Sequence, residues 1–173
     1  MRPSSVIVAL ALSLLPPSAQ AQDTGASIAD RLDGRLVQLR QGRLAATPPP
    51  ARARYVAFYF GASWCGPCRA FVPELRDAYA DLKADGVEIV FVSDDVGCTA
   101  MRDYVVRSRM PWPVVACDQR QSLTWLQAAR GKALPGLIVH DARGRRVATS
   151  WTADGNSSPR RALDDLRGLA ARP

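Results

Sequence analysis

Two cysteines stand two residues apart in Trp64-Cys65-Gly66-Pro67-Cys68. A pair at this spacing can close a disulfide and open it again, passing two electrons to a partner by thiol–disulfide exchange. A run of apolar residues leads into the pair and a helical pattern leads out of it. That order puts Cys65 at a helix N-terminus, where unpaired amides and the helix dipole stabilise a thiolate. Cys68 falls one turn further in and is expected to be more buried. Cys65 is therefore expected to attack a substrate disulfide and Cys68 to resolve the mixed disulfide. Pro67, at the start of the helix, costs no hydrogen bond and presets the backbone. The same spacing also serves a zinc half-site, a copper site or a purely structural bridge. Zinc would want a second close pair, and Cys98 and Cys117 are 19 positions apart. Copper would want Met or His nearby, and the single histidine, His140, is far along the chain. The expectation is a redox pair with no metal and no cofactor.

The elements that position the pair are legible in the patterning. Tyr55 to Phe60 is aromatic and apolar and reads as a buried strand. A helix follows from about Cys65 to Lys83, with Phe71, Leu75, Ala78 and Leu82 on one face and Pro73 expected to kink it. Asp85-Gly86 ends it, and Val87 to Val92 is a second buried strand. Then come a helix from Thr99 to Ser108, a rigid turn at Met110-Pro111-Trp112-Pro113 and a short strand, Val114 to Ala116. Asp118 is expected to cap a further helix, with Gln121 at the capping-box position. Gly136 to His140 and Arg145 to Ser150 flank a turn and should pair antiparallel. Ser158 and Pro159 open a last helix that carries Leu163, Leu166 and Leu169. Trp112, held between prolines, reads as structural, and His140, near a strand end, as an ordinary surface residue.

The N-terminal third is less regular. Residues 22–33 are polar and expected to be poorly ordered. Arg35 to Ala46, around Gln41-Gly42, reads as a β-hairpin, with a helix from Ile28 to Leu39 as the competing assignment. Thr47-Pro48-Pro49-Pro50 is a stiff linker. Strands alternating with helices imply an α/β layered domain over residues 53–173, preceded by an extension and linker over 22–52. The helix between the strands Val87–Val92 and Val114–Ala116 makes a crossover, so those strands should run parallel. Cys98 and Cys117 then share the sheet edge that carries Cys65, within disulfide reach. A structural disulfide is expected there, with two free thiols or a second redox pair as alternatives.

Length and composition bound the rest. The chain has 173 residues, 47% hydrophobic and 23% charged, which is ordinary for one domain plus an appendage. Its net charge of +7 is carried by 21 arginines and 2 lysines. The arginines form no run longer than two, at Arg145-Arg146 and Arg160-Arg161, so a solvated surface is expected and no nucleic-acid partner. Residues 1–21 read as a secretory signal peptide: Arg2, an apolar stretch of ten residues from Val6 to Leu15, and a small-x-small site at Ala19-Gln20-Ala21. The alternative is an uncleaved N-terminal anchor. Export, secreted or periplasmic, would place the domain where disulfides persist.

The stretch from Phe58 to Arg69, Phe-Tyr-Phe-Gly-Ala-Ser-Trp-Cys-Gly-Pro-Cys-Arg, resembles the active-site segment of the thioredoxin superfamily. Tyr-Phe-x-Ala-Ser-Trp-Cys, with Pro73 later in the helix and Met110-Pro111-Trp112 beyond it, is most similar to the tryparedoxin and nucleoredoxin group. The resemblance extends over roughly residues 35–151. It implies a thioredoxin-like fold, a mixed central sheet flanked by helices, here with an N-terminal β-hairpin extension. It also implies thiol–disulfide exchange; with the export read from residues 1–21, the expected partners are protein disulfides in the exported compartment and a membrane or periplasmic thiol as electron donor, and the protein is expected to be a monomer. Gly-Pro between the cysteines resembles reductases more than strong oxidants. Leu134-Pro135 falls where the family places its cis-proline, facing the cysteines and pairing with an extended substrate. Trp64, Gly66, Pro67, Leu134 and Pro135 are therefore the expected substrate-binding residues, Trp64 shielding the disulfide or, as the alternative, simply packing.

Two positions depart from thioredoxins. The buried aspartate that family carries six residues before the first cysteine is here Tyr59, as in the tryparedoxin group. The base for Cys68 is then open. Glu74 is a candidate, against the alternative of a solvated helix carboxylate. The second departure is Gly136, where relatives usually have Thr after the cis-proline. From another function class, the alternative is a binding module that keeps the fold to hold a partner. Cys65→Ser separates the two, since only an enzyme would lose turnover.

Overall fold

β3 (Tyr55–Gly61) explains the layering. Its side chains alternate, Val56, Phe58 and Phe60 toward one face and Ala57 and Tyr59 toward the other, and all five are fully buried. A strand apolar on both sides must be covered on both sides. In the computed structural model, which describes residues 26–172, it lies inside a seven-stranded sheet of order β2 (Arg43–Ala46), β1 (Leu36–Arg40), β5 (Val114–Val115), β4 (Val87–Ser93), β3, β6 (Gly136–Asp141), β7 (Arg146–Thr149). The signal segment expected over residues 1–21 lies outside the described residues.

β3 leads through α2 (Gly66–Ala84) to β4 (Val87–Ser93), which pairs with it in parallel. β4 leads through α3 (Cys98–Arg107) to β5 (Val114–Val115), again parallel. Both steps move in the same direction across the sheet, so right-handed crossovers put both helices on one face. There Phe71, Leu75 and Leu82 of α2 and Met101, Tyr104 and Val105 of α3 share a core with Tyr59, Ile89 and Phe91. The chain then returns across the other face through α4 (Thr124–Ala129) to β6 (Gly136–Asp141), antiparallel to β3. β7 (Arg146–Thr149) completes the hairpin, and α5 (Pro159–Ala170) returns to the face of α2 through Leu163 and Leu166. Pro73 sits inside α2 without ending it.

The N-terminal part is more ordered than its composition implies. Ile28–Leu32 forms α1, closed by a reciprocal capping box between Ser27 and Asp30. Ile28 and Leu32, four apart, are both buried against Val56, Phe58 and Ile138. The expectation of disorder over residues 22–33 is thus overturned for this stretch: two apolar side chains on one helical face suffice to dock it. Gly34, at φ +68, ends the competing helix. β1 (Leu36–Arg40) and β2 (Arg43–Ala46) form the expected hairpin, and β1 continues the sheet by pairing antiparallel with β5.

One capping expectation fails, and a second holds in position only. Asp118 caps nothing; a 3-10 turn at Arg120–Ser122 precedes α4, whose N-cap position is Leu123. Ser158 stands at the N-cap of α5, but its side chain makes no capping bond.

Candidate active site

α2 begins at the redox pair. Cys65 is its N-cap residue, and its Sγ accepts the backbone N–H of Cys68 at 3.1 Å. The two cysteines are bonded, with Cα atoms 5.2 Å apart. Cys65 is 6% exposed and Cys68 fully buried, while the side chain of Trp64 stands out at 63%. Pro67 occupies the first turn, where no amide partner is lost. The fold therefore leaves Cys65 slightly exposed at the positive end of a nineteen-residue helix and keeps Cys68 wholly buried behind it.

The turn before Cys65 is held by a residue that the motif does not reveal. Asp95, itself buried, follows β4 and accepts hydrogen bonds from Ser63 N (2.8 Å), Ser63 Oγ (2.6 Å) and Ser93 Oγ (2.9 Å). Arg120 donates to the carbonyls of Ser93 and Asp95 at 2.7 and 3.0 Å, and Arg69 to that of Ser63 at 2.8 Å. Beside this network Arg130 forms a two-pronged ion pair with Asp94. Asp95 escaped the sequence analysis because its partner lies 32 positions earlier, across a parallel crossover. The sequence signal, Ser-Asp-Asp at a strand's carboxyl end, is weak alone.

Opposite the disulfide runs the loop that ends in β6. Its Leu134–Pro135 bond is cis. Leu134 packs against the small cluster of Ala62, Cys65 and Cys68. The structure thus brings Trp64, Gly66, Pro67, Leu134 and Pro135 to one end of the sheet with the cysteine pair.

Tyr59 lies beneath α2 and donates from its hydroxyl to the Cys68 carbonyl at 3.1 Å. Burial, and then its neighbour Tyr104, hold its phenol far above the ordinary tyrosine range. Tyr59 therefore stays protonated and is no base. Glu74 is not at Cys68 either. Its carboxylate binds Arg160 of α5 at the surface, and that hydrogen bond lowers its pKa. The proposal of Glu74 as base is thereby overturned, in favour of a surface carboxylate.

His140 is also corrected. It is 4% exposed, wedged edge-on between Phe58 and Trp125, and its Nδ1 has no hydrogen-bond partner. Burial first, then the charge of Arg146, lowers its pKa to about 4. The side chain points inward because α1 and α4 cover that face of β6. Trp112 is fully buried against Tyr79. Cys98 and Cys117 are bonded, with Cα atoms 5.4 Å apart, and join the start of α3 to the residue after Ala116. No cluster of three metal-ligating side chains occurs among the described residues. No helix there is long and apolar enough to cross a membrane. The arginines scattered in sequence do converge in space: Arg54, Arg143, Arg145, Arg146 and Arg172 line an open cleft of about 1000 Å³ at the end of β3 away from Cys65.

Comparison with known proteins agrees with this geometry. A family model described as thioredoxin-like matches residues 53–146, just over half the chain. A probable nucleoredoxin 1 of Arabidopsis thaliana is 38% identical over 96 residues, covering 53% of this chain and 16% of that protein. Tryparedoxin of Trypanosoma brucei brucei is 37% identical over 89 residues, covering 50% of this chain and 60% of that protein. The match thus spans less than two thirds of the length of either relative. Among solved structures, thioredoxin from Wuchereria bancrofti superposes with a TM-score of 0.64 at 26% identity, covering 83% of this chain and 99% of that one.

Proposed function

This chain belongs to the thioredoxin-like family, and from that premise we propose that it is a thiol–disulfide oxidoreductase that reduces protein disulfides. One observation carries the reading: in the bonded pair at the head of α2, Cys65 is the helix cap and keeps a small exposure, while Cys68 is wholly buried. In the dithiol form, the Cys65 thiolate attacks one sulfur of a substrate disulfide. A mixed disulfide forms and the other substrate sulfur leaves as a thiolate, which takes a proton from water. Cys68, losing its proton to water, attacks Cys65 Sγ and releases the second substrate thiolate. Two electrons pass to the substrate, and Cys65–Cys68 is left oxidised, as it stands here. A thiol donor restores the dithiol.

The substrate edge in this reading is Leu134–Pro135, beside which an extended chain would pair as an added strand. Trp64 would cover the mixed disulfide from the opposite side. We place the reaction outside the cytoplasm, on the sequence of residues 1–21 and on two disulfides among the described residues. The acting form is a monomer, its partners a disulfide-bearing protein and a membrane or periplasmic thiol donor, with no nucleic acid. Equilibrating the protein with thiol buffers measures the reduction potential of Cys65–Cys68, and dithiothreitol-driven reduction of insulin measures turnover. A potential near that of thioredoxin, about −270 mV, with insulin reduction, is expected. A potential near −120 mV, that of a strong oxidant, would overturn the direction.

A further inference from the structure

Gly131 and Gly136 have no conformational reason to be glycine, since neither has positive φ. Space is the reason. A Cβ on Gly131 would lie 2.4 Å from Cδ1 and Cγ of the Trp151 indole. A Cβ on Gly136 would lie 2.0 Å from Cζ2 and 2.6 Å from Cη2 of the same ring. The five-membered side of the indole thus covers one glycine and the six-membered side the other. Between them, Trp151 Nε1–H donates to the Ala133 carbonyl at 2.7 Å. The ring also meets Phe60 of β3 edge-on, with centroids 5.4 Å apart. Ser157, paired with Trp151 across a β-bridge, donates from Oγ to the Pro135 carbonyl at 2.6 Å.

We infer that Trp151 is a positioning residue for the substrate edge: its indole, admitted by Gly131 and Gly136, sets where Ala133–Pro135 stand against the redox disulfide. The inference rests on the proposed exchange activity and adds to it the group that fixes the docking edge. The loop is held from two sides. Leu134 packs on the cysteine cluster in front, and the indole lies against the loop behind. Gly136 itself then offers the loop no side chain as support. The space of its β-carbon is filled from β7's end by an aromatic ring instead.

A protein substrate that pairs along this edge depends on the loop's placement. A small aromatic disulfide needs only the sulfur of Cys65. Trp151→Phe keeps a ring and removes the Nε1 donor. In the full chain it is expected to raise KM for insulin about five-fold, the worth of one hydrogen bond. Its kcat should stay within two-fold, and turnover of 5,5′-dithiobis(2-nitrobenzoate) and the Cys65–Cys68 potential should not move. Gly136→Thr is expected to lose insulin turnover, and adding Trp151→Ala to it should restore part of that loss. Equal falls for insulin and the small disulfide, or a lower thermal midpoint with insulin KM unchanged, would make Trp151 merely structural and overturn the inference. If the wild-type dithiol reduces neither probe, the exchange reading fails, and amide hydrogen exchange decides this inference alone. Trp151→Phe should then speed exchange at Ala133 and Leu134 while leaving β3 unchanged; unaltered exchange at both residues would overturn it.

Discussion

Cys65 and Cys68 differ by three positions and by nearly all of their chemistry, because one caps a helix and the other lies inside its first turn. The cap position leaves Cys65 among amides with no helical acceptor, which favours its thiolate. On a Cys68→Ser variant, alkylation of Cys65 against pH should show a midpoint clearly below about 8.5, the value of a free cysteine; a midpoint at or above it would refute the assignment. The same variant should accumulate mixed disulfides with substrate proteins on non-reducing gels, whereas Cys65→Ser should accumulate none. Equal trapping by both would remove the division of roles. This asymmetry was readable in sequence because an N-cap is local, set by a strand, a turn and a helix in immediate succession. Asp95 was not readable, since nothing near it in the chain announces that its carboxylate will meet the Ser63 amide.

At the scale of elements, the Cys98–Cys117 bond ties the head of α3 to the end of β5, beside the hydrogen bonds by which Arg120 joins the same two segments. The loop it closes spans 19 positions. Loss of the cross-link should cost about 3 kcal/mol in the chain-entropy model. A Cys98→Ala, Cys117→Ala double variant should show that loss in urea unfolding under oxidising conditions. Full alkylation of Cys98 and Cys117 in the oxidised wild type would contradict the bond. The pairing was foreseeable because parallel strands put successive loops at one edge. Docking of α1 was not, because five residues with two apolar side chains resemble a polar tail until a sheet face is there to receive them. Ile28→Ala should accordingly cost about 3 kcal/mol by urea unfolding, the usual size for a buried Ile or Leu truncation; a loss near zero would mean α1 contributes nothing to the fold.

For the whole molecule, the buried His140 makes stability depend on pH. Its pKa falls from 6.5 to about 4 on folding. Between those values the unfolded chain binds the proton and the folded one does not, so stability rises with pH across this window. The contribution is therefore complete above about 6.5, is lost progressively as pH falls, and is gone below about 4. With the ring almost wholly buried, the loss should reach about 3 kcal/mol. From pH 7 to pH 4 the urea midpoint of wild type should fall relative to that of His140→Leu, whose side chain does not titrate. Parallel curves would show that the imidazole is not the group responsible. The molecule is also polar in a second sense. The redox pair stands at one end of β3, with Arg69, Arg120 and Arg130 tied into the turns beside it, and five further arginines line a cleft at the other end.

The sequence alone determined the redox pair, the helix that it heads, the alternating strands and helices, and the edge shared by all four cysteines. Each of these follows from neighbours within a few positions, from side-chain periodicity, or from the handedness of a crossover. Only the tertiary structure decided what sits behind those features: His140 inside the core, Glu74 held by Arg160, Asp95 under the active-site turn and Trp151 against two glycines. These contacts join residues many positions apart. Which side chain faces which is set by strand order and by the cover that other elements provide, and no local pattern encodes either.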